Sequence, residues 1–380
     1  MVTENEDWLE KHLLEAYLKA KDHNARWDAS VSIVFGLVAG QRVRSNDDPA
    51  VRDKIGKIAS TANADGCRDP YVRYLVLRYG LREPAGKEEL KRALANGGLG
   101  RELSATADDL TRVAYPPDVV FEATSLAFSA NWGKATDFEL EQLREKALNS
   151  VLAILIDQTY PASRVQKDVA TMLSLAGSGS GEYEVVWRRI EPILFKNWYK
   201  FPFPNLIKGE YHYNLGWRAR GGGYSDSVTK EAWKTFHREE GVSEQCFRDA
   251  WKLDNTNPDT ARWMIEVCVC QSHSRREMER WFSCAMAADP SYYPACLAKL
   301  RFLEPKWFGS SRDMIEFGHQ CATNLSYKGR VPGLICDVYL TLSSYYEKRE
   351  EQEQFLAQPL IWSDVSNAFS ALAQREPTVT

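Results

Sequence analysis

Apolar residues recur along this chain at the three- and four-residue spacing that places them on one face of a helix. Leu9, Leu13, Ala16, Tyr17 and Ala20 share such a face between Trp8 and Lys21. The same pattern predicts a second helix over 27–44, ended by Asn46-Asp47-Asp48-Pro49, and a third opened by Pro49 with Val51, Ile55 and Ile58 inside. A fourth runs over 71–79 and stops at Gly80, and a fifth covers 87–95 and stops at Gly97-Gly98. Pro116-Pro117 opens a sixth, 137–156 is a long seventh, and 161–175 an eighth. No segment alternates with period two for long enough to demand a strand. The expected fold is all-α, an array of antiparallel helix pairs in the manner of an α-solenoid.

Between Ser243 and Asn324 the helical pattern repeats. Phe247, Phe282 and Phe317 stand 35 residues apart, as do Ala250 and Ala285. Asp254, Asp289 and Asn324 keep the same register, each closing an apolar segment. A period of 20–50 residues signals stacked helical units, since one helix pair is too thin to bury its own stripe. Asn257 with Pro258 supplies a cap and a first helical residue that needs no N–H. The helices over 259–270 and 291–303 are the expected lining of a groove.

Phe247, Ala250, Leu253 and Asp254, then Phe282, Ala285, Asp289 and Pro290, resemble the second helix and closing turn of tetratricopeptide repeats. The period is 35 rather than 34, and the first-helix Trp and Gly-Tyr signature is missing. A broader likeness covers roughly 205–345, through Trp217-Arg218-Ala219-Arg220-Gly221-Gly222-Gly223, Trp233, Phe236, Met278-Glu279-Arg280-Trp281-Phe282 and Leu303-Glu304-Pro305-Lys306-Trp307-Phe308-Gly309-Ser310. This stretch is similar to an uncharacterised bacterial domain family associated with helical repeats. The likeness implies the fold and no activity.

Gly177-Ser178-Gly179-Ser180-Gly181 is the clearest linker signal. It divides the chain into a helical array over 1–176, the linker 177–181, a distinct segment over 182–225 and tetratricopeptide-like repeats over 226–376. A helix is expected from about Glu182 to Asn197, with Pro192 as a kink. Residues 187–224 differ in kind: seven Arg or Lys against two Glu give +5, and ten residues are aromatic. Phe201-Pro202-Phe203-Pro204 cannot continue a helix. The segment reads as a long aromatic loop packed over the array, or as an anion corner built from Arg218, Arg220 and the backbone of Gly221, Gly222 and Gly223. A helix is expected to follow, capped by Ser225, Asp226 or Ser227. Trp217, Tyr224, Trp233, Lys306 and Trp307 are candidate walls of the site. Asp226 opposes an anion there, and no Lys-Ser/Thr follows the glycines, so this is not a Walker loop.

Composition narrows the choice of function. A net charge of −4 argues against general nucleic-acid binding. The longest apolar run, 31–39, is too short to span a bilayer. An acidic start without a signal-peptide pattern reads as cytoplasmic, a mature exported form being the alternative. Seven of the eight Cys follow residue 245, on apolar stripes, which suggests free buried thiols rather than a disulfide framework. Cys268 and Cys270 point to opposite sides of a helix, so with His273 they make no metal site. The His residues at 12, 23, 212, 237, 273 and 319 fit no catalytic pattern. The chain therefore reads as a protein- or peptide-interaction module, without catalytic residues, metal or cofactor. The alternative is a small-ligand or anion-binding protein, or an enzyme, using the loop 218–223.

Overall fold

The computed structural model describes residues 2–19, 23–44, 48–80, 91, 98–177, 181–223 and 225–375. Among the described residues every regular element is helical, and no strand is present. The helix expected over 87–95 lies largely outside the described residues. Contacts divide the chain into two compact units, Met1–Asn197 and Trp198–Thr380. The Gly/Ser run at 177–181 falls inside the first unit, and its residues 178–180 are not described.

The first unit contains α1 (Val2–Lys19), α2 (Asp28–Arg44), α3 (Pro49–Ala64), α4 (Pro70–Tyr79), α5 (Leu99–Arg112), α6 (Pro117–Asn131), α7 (Asp137–Ile156), α8 (Ala162–Ala176) and α9 (Gly181–Trp198), whose last residue begins the second unit. From α1 to α8, each helix packs on the next in sequence, as an array of hairpins requires. The ends follow local chemistry. Asp48 and Asp69 cap helices that begin with proline, accepting from Ala50 N, and from Tyr71 N and Val72 N. Thr136 and Glu139 form a reciprocal capping box on α7. Leu13, Phe35, Ile55, Tyr71, Tyr74, Leu103 and Leu110 make the centre of the core, each fully buried. Pro192 lies inside α9, on its exposed side.

The second unit contains α10 (Phe203–Arg220), a 3₁₀ turn (Ser225–Ser227), α11 (Lys230–Leu253), α12 (Pro258–Cys270), α13 (Arg275–Ala288), α14 (Tyr293–Phe302), α15 (Ser311–Thr323), a 3₁₀ turn (Val331–Gly333), α16 (Ile335–Ser343), α17 (Arg349–Leu356) and α18 (Pro359–Arg375). Most of the stretch read as an aromatic loop is helical. The prolines delimit helices here instead of preventing them. Pro202 caps α10 and Pro204 sits in its first turn, where a missing N–H costs nothing. Trp198, Phe201 and Phe203 pack around this turn, with ring centroids 5.6–6.0 Å apart. The cap of α11 is Thr229, which accepts from Ala232 N, and the three residues 225–227 form the separate 3₁₀ turn.

The 35-residue period has a physical counterpart at each closing turn. Asp254, Asp289 and Asn324 are the C-caps of α11, α13 and α15. Each side chain accepts from the backbone N–H two residues on: Thr256 at 2.9 Å, Ser291 at 2.8 Å and Ser326 at 2.9 Å. The three cap N–H groups donate to the carbonyls of Ala250, Ala285 and Gln320, again 35 apart. Between these turns, the two helices expected to line a groove differ: α14 exposes Pro294 and Leu297. α12 has no exposed residue, because α11, α13 and α14 pack on it and α10 reaches it through Glu210 and Tyr213.

Candidate functional site

The side of α12 that is only half-buried carries Asp259, Arg262, Trp263 and Glu266, one helical stripe at the i, i+3, i+4, i+7 spacing. It meets α10 and α14 through polar contacts. Trp263 Nε1 donates to Glu210 Oε1 at 2.9 Å, and Tyr292 Oη donates to Asp259 Oδ1 at 2.7 Å. The Arg262 guanidinium lies 3.7 Å from the centre of the Trp263 ring, which also stacks on Phe247 at 5.4 Å. Arg301 Nη1 donates to Glu266 Oε2 and to Tyr213 Oη, both at 3.0 Å.

From Arg301 the stripe continues into the residues singled out in the sequence. The Arg301 guanidinium lies 5.0 Å from the Trp217 ring and 5.8 Å from Trp307. Trp217 and Trp307 meet edge to face at 6.0 Å. Arg220 lies 5.5 Å from Trp217 and 5.2 Å from Trp233. Trp217, Arg220, Trp233 and Trp307 therefore converge, although 90 positions separate the first from the last in sequence.

The other candidates are placed differently. Arg218 is exposed, and Tyr224 lies outside the described residues. Lys306 is exposed and pairs with the buried Glu304 at 2.8 Å, which also accepts from Tyr345 Oη. Arg220 Nη1 donates to the carbonyls of Gly221 and Gly223, at 3.0 and 3.1 Å. The loop thus turns carbonyl oxygens toward this guanidinium, and the N–H of Gly221 is spent on Trp217 O. Gly221 has φ +75°, which favours glycine at this helix end. A Cβ on Gly223 would meet Ser227 Oγ at 2.5 Å.

The centre of the stripe holds groups that the sequence reading passed over. Glu240 is fully buried, and neither carboxylate oxygen has a hydrogen-bond partner of nitrogen or oxygen type. Burial pushes its pKa up to about 8, against the lowering effects of the Cys270 thiol and Arg301, while Glu266 and Glu239 add to the rise. Glu210 is raised to about 7, by burial and then by Asp259, with Arg262 and Trp263 opposing. Burial and the neighbouring Glu240 push the Cys270 thiol well up, so it is a poor nucleophile. The signal for Glu240 was in the sequence: it occupies an apolar position in the run Phe236, Glu240, Ser243, Phe247. Lys299 is a second charged residue on a core stripe, 5% exposed and paired with Glu279 at 2.6 Å.

Cys268 and Cys270 do not converge with His273. Cys268 joins the main core, Cys270 the small cluster with Tyr213 and Phe236, and His273 pairs with Glu244 at 3.3 Å and Glu277 at 3.7 Å. Among the described residues no group of three or more His, Cys, Asp or Glu could hold a metal ion. None of the eight cysteines is in a disulfide. No described helix is long and apolar enough to cross a membrane.

The first unit supplies an open space. Between α5 and α7, over the start of α6, lies a groove of about 1000 Å³. Ser104, Asp108 and Thr111 face it from α5, and Gln142, Lys146 and Asn149 from α7. The Lys146 ammonium pairs with Asp108 across it. Gly100 lets the walls close at one end: a Cβ there would stand 2.4 Å from Asn131 Oδ1. Asn131 donates in turn to Ser104 Oγ at 3.2 Å, tying α6 to α5.

No family model, curated protein or solved structure matches this chain. Its class rests on architecture alone, an all-α array of helices packed on their sequence neighbours.

Proposed function

We propose that the chain is a protein- or peptide-interaction module, tetratricopeptide-like over 226–376, and that the groove between α5 and α7 is its binding surface. The observation that carries this reading is the lining of that groove. Hydroxyl, amide and charged side chains of two helices, set among apolar ones such as Val120 and Leu143, face each other across about 1000 Å³ of open space. An extended peptide needs donors and acceptors at alternating places along its backbone, and these side chains provide both. Along α12 the half-buried side is closed by its own pairs, Arg262 with Asp259 and Arg301 with Glu266, and leaves less open space than the groove.

The test is selection of peptides from a displayed library on the full chain, followed by affinity measurement on Ala105→Trp and Asn149→Ala. Ala105 and Asn149 are exposed and line the groove, so neither change disturbs the core. The indole fills the space, and binding should fall at least tenfold, about 1.4 kcal/mol, with the melting temperature unchanged. Peptides that bind the Ala105→Trp protein as well as wild type would remove the groove from consideration.

A further inference from the structure

On another side of the first unit, α2, α4, α6 and α8 line an open cavity of about 450 Å³. Four cationic side chains line it: Arg42 from α2, Arg78 from α4, and Arg164 and Lys167 from α8. Only two carboxylates do, Glu122 and Asp168. Asp118 stands behind Arg164, at 3.6 Å, and is shared with His12 at 3.2 Å. The lining thus carries a surplus of positive charge even after its internal pairs are made.

Those pairs fix the cations in place. Arg42 and Arg78 both grip Glu122, and Arg164 donates to Asp168 at 2.7 Å. Aromatic faces back the guanidinium groups, with Arg42 5.7 Å from Tyr71, and Arg78 5.8 Å from Tyr74 and 5.0 Å from Tyr79. Donors are nevertheless left over. Arg42 has a side chain nine-tenths buried, yet its Nη1 has no hydrogen-bond partner. Gln41 Nε2, also on the lining, is buried without one. The Lys167 ammonium, at the exposed edge, makes no hydrogen bond or ion pair among the described residues. An unmet buried donor is costly, and a charged one more so. Two carboxylate oxygens here, Glu122 Oε2 and Asp118 Oδ2, also lack a hydrogen bond, but each lies in an ion pair, with Arg42 and Arg164; the three donors have no such partner, and what would satisfy them is an acceptor-rich anion.

We propose that this cavity is a binding site for a phosphate group, carried by a small molecule or free in solution, with Arg42, Gln41 and Lys167 as its donors. Phosphate oxygens suit a fork of guanidinium donors beside an ammonium. The cavity volume lies in the usual range for small-molecule sites and leaves room for an organic part. Burial, and then the positive charges of Arg164, Arg42 and Arg78, hold the Lys167 ammonium below its ordinary pKa, a repulsion that an anion would relieve. The site shares no lining residue with the groove between α5 and α7, and its success or failure leaves the peptide reading untouched.

The experiment is calorimetric titration of the full chain with sodium phosphate and, separately, with glucose 6-phosphate, at constant ionic strength so that general screening is matched. Lys167→Ala and Lys167→Glu are the variants, since Lys167 is exposed, holds nothing in place, and can be changed without cost to the fold. Wild type should show saturable one-site binding of at least one probe. Affinity should fall at least tenfold in Lys167→Ala and further in Lys167→Glu, at unchanged melting temperature. Equal affinity for the two probes would make the free ion sufficient, and preference for the sugar phosphate would place its organic part in the cavity; either result supports the site. The proposal is overturned if wild type binds neither probe up to about 10 mM, where a Kd of 1 mM would give near-saturation, or if Lys167→Ala binds as tightly as wild type.

Discussion

Phe282 and Phe317, 35 residues apart in sequence, meet edge to face with ring centroids 5.4 Å apart. The Lys299 ammonium lies 4.4 Å from the centre of each ring. The period read along the chain is therefore also a contact in space, with successive copies touching through equivalent side chains. Phe282 is 4% exposed and Phe317 2%. Phe282→Ala removes a ring packed on both sides and should cost about 3–5 kcal/mol. A urea titration followed by tryptophan fluorescence measures it. A loss below about 1 kcal/mol, the scale of a surface change, would mean the contact contributes little.

The closing turns offer a gentler test of the same period. Asp254 and Asp289 each take a backbone N–H and a neighbouring hydroxyl on one carboxylate oxygen, with Thr256 Oγ1 at 2.7 Å and Ser291 Oγ at 2.6 Å. Asp254→Ala and Asp289→Ala should each cost about 0.5–1.5 kcal/mol, the usual net value of an exposed hydrogen-bonded turn. Because the two turns share no partner, the double variant should show the sum. The urea midpoints of the two single variants and the double variant decide it.

What could be read in the sequence, and what could not, follows from how local each cause is. Helix ends set by a proline, a capping aspartate or a glycine were legible: α7 has the predicted bounds, and α4 stops at Gly80. The repeat was legible because its turns are closed by residues two apart in sequence. The segment around Pro202 and Pro204 misled, because proline breaks a helix and begins one with the same chemistry, and only the packing of Trp198, Phe201 and Phe203 shows which. The convergence of Trp217 and Trp307 on Arg301, and of Arg42, Arg78 and Lys167 on one cavity, depends on helix packing at long range. No spacing rule carries that information.

Two glycines separate close approach from helix propensity. A Cβ on Gly209 of α10 would stand 2.3 Å from Phe247 Cε1, a fully buried ring on α11. Ser243 Oγ donates to the Gly209 carbonyl at 2.9 Å, so the helices are held at that distance. Gly209→Ala must push them apart, at a cost of about 1–3 kcal/mol for an overpacked core. Gly241, also helical, has nothing within 4 Å of the same position. Gly241→Ala should be neutral or stabilise by up to about 1 kcal/mol. Opposite shifts of the two melting temperatures are the expected result, and shifts of the same sign would contradict the close packing of α10 on α11.

Glu240 predicts how the stability of the second unit depends on pH. Its carboxyl is ordinary in the unfolded chain, near 4.5, and is raised to about 8 by burial in the fold. Between those values the folded chain keeps a proton that the unfolded chain has released. Stability therefore falls as pH rises from about 4.5 to about 8, and this contribution is flat above that. The loss across the window is of the order of a few kcal/mol, at about 1.4 kcal/mol for each pH unit of difference. Glu240→Gln carries no ionisable proton and keeps nearly the same shape against Gly216, whose Cβ would lie 2.7 Å from Glu240 Oε1. The variant should lack this component of the slope, so its advantage over wild type should grow from pH 5 to pH 8. Melting curves of both proteins across that range give the answer. Parallel curves would mean that Glu240 is ionised in the fold, with Arg301 as the charge that compensates it.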